Sequence, residues 1–385
     1  MIYVHIPFCR SFCTYCDFYS EVAPRCQKTE DAARQTVLFE SFADALSKEA
    51  VARSEEISDE VDTLYIGGGT PSVLPLSVFR SLVSILESSG HGAPFDEFTV
   101  EVNPEDIVKK GPEYAAGLLD LGVNRVSMGV QSFDDGVLRF MNRRHDAVTA
   151  VKAYGILEDA GFENISIDLI FGLPQLSDAV WRDTLKRAMD ISAKGVLPKH
   201  VSSYQLSVEP GSALAGLVER GLWTEASEDL CRGQYDILCD VLGGAGYHHY
   251  EISNFALPGY EARHNSAYWH HVPYVGLGPG AHSLVSESTG WSRKWNAPDL
   301  LAYIADPLSR SDGEVLTDEQ VALERIMLGL RTSVGVSEDF LEAHCGRDVL
   351  AHAISSGDLV HTSSSNLRIP ESRFFVSDAI ISSLV

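Results

Sequence analysis

Short apolar runs alternate with longer amphipathic stretches through the first 240 of the 385 residues. The short runs are rich in β-branched residues and often precede glycine, proline or asparagine, which predicts strands. Between them, Val37–Arg53 has the apolar spacing of a helix, and Ala147–Ala160 ends at Gly161, a common helix stop. Six strand–helix units in series predict an α/β fold with a partial (βα)6, TIM-like barrel. The predicted strands are Ile2–Pro7, Thr63–Ile66, Glu97–Val102, Arg125–Val130, Ile165–Phe171 and Val201–Leu206.

Three cysteines follow the first predicted strand: Cys9, Cys13 and Cys16, in the spacing C-x3-C-x2-C. Iron–sulfur clusters and structural zinc sites normally have four ligands. Three thiolates therefore predict a [4Fe–4S] cluster in which one iron stays open to another ligand. Two alternatives remain open: a redox pair of Cys13 and Cys16, or a zinc site with His5 as the fourth ligand.

The carboxyl ends of other predicted strands carry residues suited to ligand binding, and barrels of this kind place their functional groups at those ends. The run Gly67–Gly69 lets a ligand approach the backbone closely. Glu101 offers a carboxylate to a ribose hydroxyl or an ammonium group. Gln131 and Asp168 lie at or near the ends of two further strands. We therefore expect one site along this edge.

The pattern changes in the last third of the chain, and it predicts three segments. Residues 1–240 form the barrel. Residues 241–305 are rich in histidine and aromatic residues and are expected to form irregular structure or short strands. Residues 306–385 predict a mostly helical, winged-helix-like domain, with a strand pair around Asp358–Ile369 and a last helix near Ser377–Leu384.

Composition excludes several classes of function. The net charge is −24, and no cluster of lysine and arginine offers contacts to phosphates, so nucleic acid is not an expected partner. No apolar run approaches the roughly 20 residues that cross a bilayer, and no secretory leader is recognisable. The seven cysteines are an odd number, which argues against a disulfide framework and favours the cytoplasm.

Motifs along nearly the whole chain resemble the radical S-adenosylmethionine (SAM) superfamily and, within it, the coproporphyrinogen oxidase-like family with its HemW-type heme chaperones. In that superfamily the amino and carboxylate groups of SAM chelate the open iron. The stretches that carry the resemblance are His5–Cys9, Gly67–Ser72, Gly129–Phe133, Asp168–Pro174, Tyr204–Leu206, Tyr250–Ala256 and Gly276–His282.

The resemblance implies roles for individual residues. Tyr3, Gly68 and Glu101 would contact the cluster-bound SAM, and Tyr15 would lie beside its adenine. Whether one or two SAM molecules bind is left open. Residues matching the second SAM site of the oxidase are Gly69, Thr70, Gln131, Arg143 and Asp168.

The run His264–Trp269 matches the H-N-x-x-Y-W motif that the family associates with heme binding. Imidazole is a common axial ligand of heme iron, so we expect His264 to ligate or contact heme. The resemblance implies a heme chaperone that passes heme to apo-heme acceptor proteins. Membrane-bound respiratory enzymes are candidate acceptors, and a homodimer is a candidate assembly.

Two enzyme functions compete with this interpretation. One is oxygen-independent coproporphyrinogen III oxidase, and the other is a different radical SAM enzyme acting on heme. The oxidase has a further cysteine two residues past the third, where this chain has Phe18. It also has a long extension before its first barrel strand, for which no room is expected ahead of Ile2. Both differences favour the chaperone, in which SAM cleavage to a 5′-deoxyadenosyl radical stays open.

Overall fold

The computed structural model describes residues 1–23, 29–57, 62–92, 94–288, 290–309 and 311–385. The six predicted strands form a parallel sheet in sequence order, each paired with the next. This confirms the predicted partial barrel. The strands are β1 (Ile2–Ile6), β2 (Thr63–Gly68), β3 (Glu97–Val102), β4 (Arg125–Gln131), β5 (Asn164–Phe171) and β6 (His200–Gln205).

Three short strands extend this sheet at both edges: β7 (His248–Glu251), β8 (Asn254–Ala256) and β9 (Val275–Leu277). Strand β9 pairs in parallel with β1, whereas β8 pairs antiparallel with β6 and carries β7 on its outer side. The resulting order is β9-β1-β2-β3-β4-β5-β6-β8-β7. Residues 241–305 therefore supply part of the barrel sheet. Strands of three or four residues are too short to show an alternating pattern that would predict their partners.

Helices connect the barrel strands and bury their apolar faces against the sheet. Trp181 is fully buried, and its Nε1 donates to the carbonyl oxygen of Gln234 at 2.9 Å. The helices are α1 (Thr29–Ala52), α2 (Leu76–Ser88), α3 (Pro104–Lys110), α4 (Pro112–Asp120), α5 (Asp135–Phe140), α6 (Ala147–Ala160), α7 (Asp178–Met189), α8 (Ala213–Glu219), α9 (Glu228–Gly244), α10 (Arg263–Trp269), α11 (Leu300–Ala305), α12 (Asp318–Gly329), α13 (Glu338–Cys345), α14 (Arg347–Ser355) and α15 (Ser377–Leu384).

Alternation along the strands separates an apolar outer face from a polar interior. In β3, Phe98 and Val100 are fully buried and belong to the apolar core, while Thr99 and Glu101 have the opposite orientation. Arg125, fully buried on β4, lies on the same polar side as Thr99, since its Nη1 is 3.5 Å from Thr99 Oγ1. A barrel that only needed packing would be filled with branched aliphatic side chains. The polar interior is therefore a feature of the site.

The last part of the chain forms two small antiparallel sheets and the C-terminal helices. The first sheet comprises β10 (His282–Glu287), β11 (Gly290–Asn296) and β12 (Ser311–Leu316). The second comprises β13 (Val336–Ser337), β14 (Val360–His361) and β15 (Asn366–Arg368) and accompanies α12 to α15. The helical character predicted for the C-terminal part is confirmed. Within the described ranges, no helix has the length and apolarity needed to cross a membrane.

Candidate functional site

A cavity of about 470 Å³ opens at the carboxyl ends of the barrel strands, within the roughly 300–1,000 Å³ typical of small-molecule sites. Most of the predicted site residues line it together. Tyr3 and His264 are not among its lining residues, although both lie in the barrel. The predicted residues that line the cavity are Cys9, Cys13, Tyr15, Cys16, Gly68, Gly69, Thr70, Glu101, Gln131, Arg143 and Asp168.

The cysteine loop is held in place by backbone contacts from two directions. The amide and hydroxyl of Thr14 donate to the carbonyl oxygens of Met141 and Phe140, both at 3.2 Å. The amide of Leu214 donates to the carbonyl of Thr14 at 2.8 Å. Asn142 Nδ2 donates to the carbonyl of Phe12 at 2.6 Å. The segment after α5 and the start of α8 therefore fix the loop over the cavity.

The three thiols lie in surroundings suited to binding iron as thiolates. Arg143 Nη1 donates to Sγ of Cys13 at 3.4 Å, and Thr70 Oγ1 is 3.5 Å from Sγ of Cys9. Burial raises the pKa of Cys9 and raises that of Cys16 to about 12. A bound metal reverses this effect because its charge stabilises the thiolate. The donor set thus fits a [4Fe–4S] cluster.

Across the described residues, no three histidine, cysteine or acidic side chains are grouped as ligands of a single metal ion. In a [4Fe–4S] cluster, by contrast, each thiolate binds a different iron. The alternative of a zinc ion shared by these cysteines and His5 gains no support. His5 instead bonds through Nδ1 to the hydroxyl of Tyr3 at 3.0 Å and through Nε2 to the carbonyl of Tyr19 at 2.8 Å.

Close neighbours require glycine in the run at the end of β2. Gly68 has φ +106°, and a Cβ there would lie 2.6 Å from Cε1 of His5. A Cβ on Gly69 would lie 2.8 Å from the carbonyl oxygen of Phe8. The amide of Gly69 donates to the carbonyl of Ile6 at 2.8 Å. The turn therefore lies directly against the strand that leads into the cysteine loop, and Gly68 and Gly69 line the cavity.

Glu101 is a buried acceptor on the cavity wall. The hydroxyl of Tyr65 donates to its Oε1 at 2.7 Å, and the amide of Gly68 donates to its Oε2 at 3.2 Å. Burial, with a smaller contribution from the negative charge of Asp168, raises the pKa of Glu101 to about 7. A cationic ligand beside this carboxylate would favour its ionised form, so the position suits an ammonium group.

Asp168, Gln131 and Arg143 form a further part of the wall. The hydroxyl of Ser127 donates to Oδ2 of Asp168 at 2.9 Å, and burial raises the pKa of this carboxyl. Arg143 Nη2 donates to the carbonyl of Gly129 at 2.5 Å. Gln131 has φ +68° beside an irregularity in the pairing of β4 with β5. Such a strained conformation is retained where the surroundings determine it, as at binding sites.

His264 is placed differently from the cavity residues. Its side chain is fully buried on α10, with Nδ1 2.7 Å from Thr63 Oγ1 and Nε2 3.0 Å from the hydroxyl of Tyr268. Its ring stacks on Tyr65 with centroids 5.2 Å apart. Burial lowers its pKa to about 3. Heme ligation by His264 stays a prediction, and it requires the ring to break one of these hydrogen bonds.

Several residues of the site were missed from the sequence. Tyr65, Arg125 and Ser127 line the cavity from the polar side of β2 and β4. Asn265, from the H-N-x-x-Y-W motif, lines it from α10. The alternation of side chains along a strand could have identified two of them. Tyr65 is two residues before Gly67, and Ser127 is two residues before Gly129. Register places such residues on one face of the sheet.

Comparison with known proteins agrees with this fold. Residues 3–188 match the family model of the radical SAM superfamily. The solved structure of coproporphyrinogen III oxidase (HemN) from Escherichia coli superposes with a TM-score of 0.79 at 21% identity, over 100% of this chain and 89% of that chain. At this identity the likeness concerns the fold.

Curated relatives are more similar in sequence. The heme chaperone HemW of Lactococcus lactis is 35% identical over 87% of this chain and 82% of the relative. The heme chaperone HemW of Bacillus subtilis is 32% identical over 94% and 93%. The mitochondrial radical S-adenosyl methionine domain-containing protein 1 of Danio rerio is 30% identical over 89% and 74%.

The parallel barrel, with three cysteines and a glycine turn at one end, defines a radical SAM protein. Its identity with heme chaperones over 78–93% of their length is more specific. The chain belongs to the HemW family.

Proposed function

We propose that this protein binds heme and passes it to apo-heme acceptor proteins, and that it carries a [4Fe–4S] cluster and SAM. The observation that carries the proposal is its similarity to heme chaperones over more than nine-tenths of both chains in the Bacillus subtilis case. Phe18 adds to it. This residue, which replaces the oxidase's further cysteine, is 65% exposed at the cavity.

The cavity residues support the two cofactors. Cys9, Cys13 and Cys16 would hold the cluster, which together with SAM supplies one-electron chemistry when bound. Glu101 would accept the SAM ammonium group, with the amide of Gly68 and the hydroxyl of Tyr65 fixing its two oxygens. Arg143 would neutralise thiolate charge beside Cys13.

Further residues are assigned by position. Tyr15 lines the cavity where an adenine would lie, and Tyr3 would support the site through its bond to His5. Gly69, Thr70, Gln131, Arg143 and Asp168 share the same cavity, so a second SAM would have to share it with the first.

We propose that the three segments have separate roles. Residues 1–240 would bind the cluster and SAM, residues 241–305 would bind heme, and residues 306–385 would support assembly or docking. We propose membrane-bound respiratory enzymes as acceptors and a homodimer as the assembly. The acidic chain, with net charge −24, suits a basic contact surface on the acceptor.

The test starts from protein reconstituted anaerobically with iron and sulfide. One arm measures saturable hemin binding and then transfer to a detergent-solubilised apo b-type reductase, followed by recovery of reductase activity. The other arm supplies coproporphyrinogen III with SAM and a reductant. Transfer without porphyrinogen turnover supports the chaperone. Robust formation of protoporphyrinogen would establish the oxidase instead.

A further inference from the structure

Several buried histidines of the barrel have both ring nitrogens in hydrogen bonds within the fold. A heme iron needs a ring nitrogen with a free lone pair. His264 has both nitrogens in hydrogen-bond contacts. His200 has Nδ1 2.7 Å from Ser166 Oγ and Nε2 2.7 Å from the hydroxyl of Tyr250. His5 is bonded through both nitrogens too. A heme ligand is therefore to be sought among the exposed imidazoles.

His282 meets this requirement. It is exposed at the start of β10, and within the described part of the chain no hydrogen bond occupies its ring nitrogens. Its ring stacks on Trp295, its direct partner on β11, with centroids 5.9 Å apart and planes 25° apart. We propose that His282 is the axial ligand of heme iron and that Trp295 offers an apolar ring beside the porphyrin. This inference rests on the proposed function and names the residues that serve it.

The backbone that carries His282 is fixed. Gly276 lies against it so closely that a Cβ there would be 1.9 Å from the carbonyl oxygen of His282. Glu49, fully buried on α1, accepts from the amide of Gly278 at 2.8 Å and from Nδ2 of Asn296 at 2.7 Å. The loop before β10 and the end of β11 are therefore held by one carboxylate, which keeps His282 and Trp295 in register. Sites on such rigid elements are well positioned.

The local charges agree with this assignment. Partial burial lowers the pKa of His282, and the positive charge of Arg293 lowers it further. Arg293 itself donates through Nη2 to Oε1 of Glu324 at 2.7 Å. Both effects favour the neutral imidazole, which is the form that binds iron.

His270 provides the matched comparison. It is also exposed and directly follows the H-N-x-x-Y-W run, but its Nδ1 is 2.7 Å from the carbonyl oxygen of Ser266. Its Nε2 keeps a free lone pair, so it also meets the requirement, but no aromatic ring of the described residues stacks on it, whereas His282 lies beside the indole of Trp295. A His270→Ala change therefore controls for the loss of an exposed imidazole.

The test titrates full-length protein with hemin and follows the Soret band and the electron paramagnetic resonance of the ferric heme. His282→Ala should weaken affinity at least tenfold and change the axial-ligand signature, and added imidazole should restore that signature. Trp295→Leu should weaken affinity several-fold with the signature unchanged. His270→Ala should resemble wild type. Circular dichroism checks folding, which exposed positions should preserve.

The outcomes separate the inference from the proposed function. Wild-type affinity and spectrum in His282→Ala, with hemin still bound saturably, would overturn the assignment of His282 alone. Loss of the signature in His264→Ala but not in His282→Ala would do the same and return the ligand to α10. Absence of saturable hemin binding by wild-type protein would overturn the proposed function and the inference with it.

Discussion

Tyr65 joins Glu101 to His264: its hydroxyl donates to Oε1 of Glu101 at 2.7 Å, and its ring stacks on the imidazole of His264. The same tyrosine therefore supports the cavity wall and the helix that carries the H-N-x-x-Y-W run. The carboxylate of Glu97 accepts from the amides of Arg263 and His264 at the start of that helix, at 2.8 and 3.1 Å. The proposed SAM and heme segments are thus in contact through the barrel interior.

Tyr65→Phe tests the hydroxyl and leaves the ring in place. Without this donor the ionised form of Glu101 is less stable, so its pKa rises above about 7. We expect SAM affinity at pH 7 to fall by about tenfold, which corresponds to about 1.4 kcal/mol. Isothermal titration calorimetry of the reconstituted protein measures this SAM affinity. Hemin affinity should stay at the wild-type value, and a parallel loss would mean that the ring stack has been disturbed.

Glu101→Gln removes the charge and keeps the side-chain size. A hydrogen bond to a charged group contributes about 1.5–3 kcal/mol, so SAM affinity should fall by about 10- to 100-fold. Glu113→Gln is the matched control, since Glu113 is exposed on α4. Equal SAM affinities in the two variants would exclude Glu101 as the ammonium acceptor.

The pKa of Glu101 also predicts how binding depends on pH. Burial raises this pKa from 4.5 to about 7, so the ligand-free carboxyl takes up a proton as the pH falls through 7. If it must be ionised to bind SAM, affinity should fall by up to about tenfold for each pH unit below 7. In the absence of ligand, this group contributes stability below pH 4.5 that is lost as the pH rises through 7. Titrations from pH 6 to 8 should show the affinity slope in wild type and a flat profile in Glu101→Gln.

The cysteine loop allows cluster binding to be separated from folding. Cys13→Ala should abolish the cluster, seen as loss of bound iron and sulfide and of the visible absorption. In this variant the loop keeps its hydrogen bonds at Thr14 and Phe12. The cluster-free variant and cluster-free wild type should therefore have similar midpoints of thermal unfolding. Cys345→Ala, on α13, should retain wild-type iron. A full cluster in Cys13→Ala would disprove the assignment.

The sequence predicted the barrel strands and the position of the cavity, but it did not predict which side chains lie in the barrel interior. Motifs at strand ends located the cavity, because a parallel sheet brings its carboxyl ends to one edge whatever the connections between them. The buried position of His264, by contrast, could not be predicted from its motif. The H-N-x-x-Y-W run predicted a heme contact at His264, but helical spacing alone cannot tell which ring the fold buries. Thr63 and Tyr268, which enclose it, lie 201 and four residues away along the chain. His282 had no signal beyond its motif, since its stacking on Trp295 depends on strand register.

The glycine turn gives the strictest test of the proposed SAM site. Gly68→Ala forces a Cβ to 2.6 Å from the ring of His5 at φ +106°, a conformation that alanine rarely adopts. The turn must shift, and the hydrogen bond from the amide of Gly68 to Glu101 is displaced with it. We therefore expect SAM affinity to fall at least tenfold. Gly155→Ala is the control, because a Cβ in α6 meets nothing within 4 Å there and should stabilise the helix slightly. If Gly68→Ala binds SAM as tightly as Gly155→Ala, the turn does not contribute to the site.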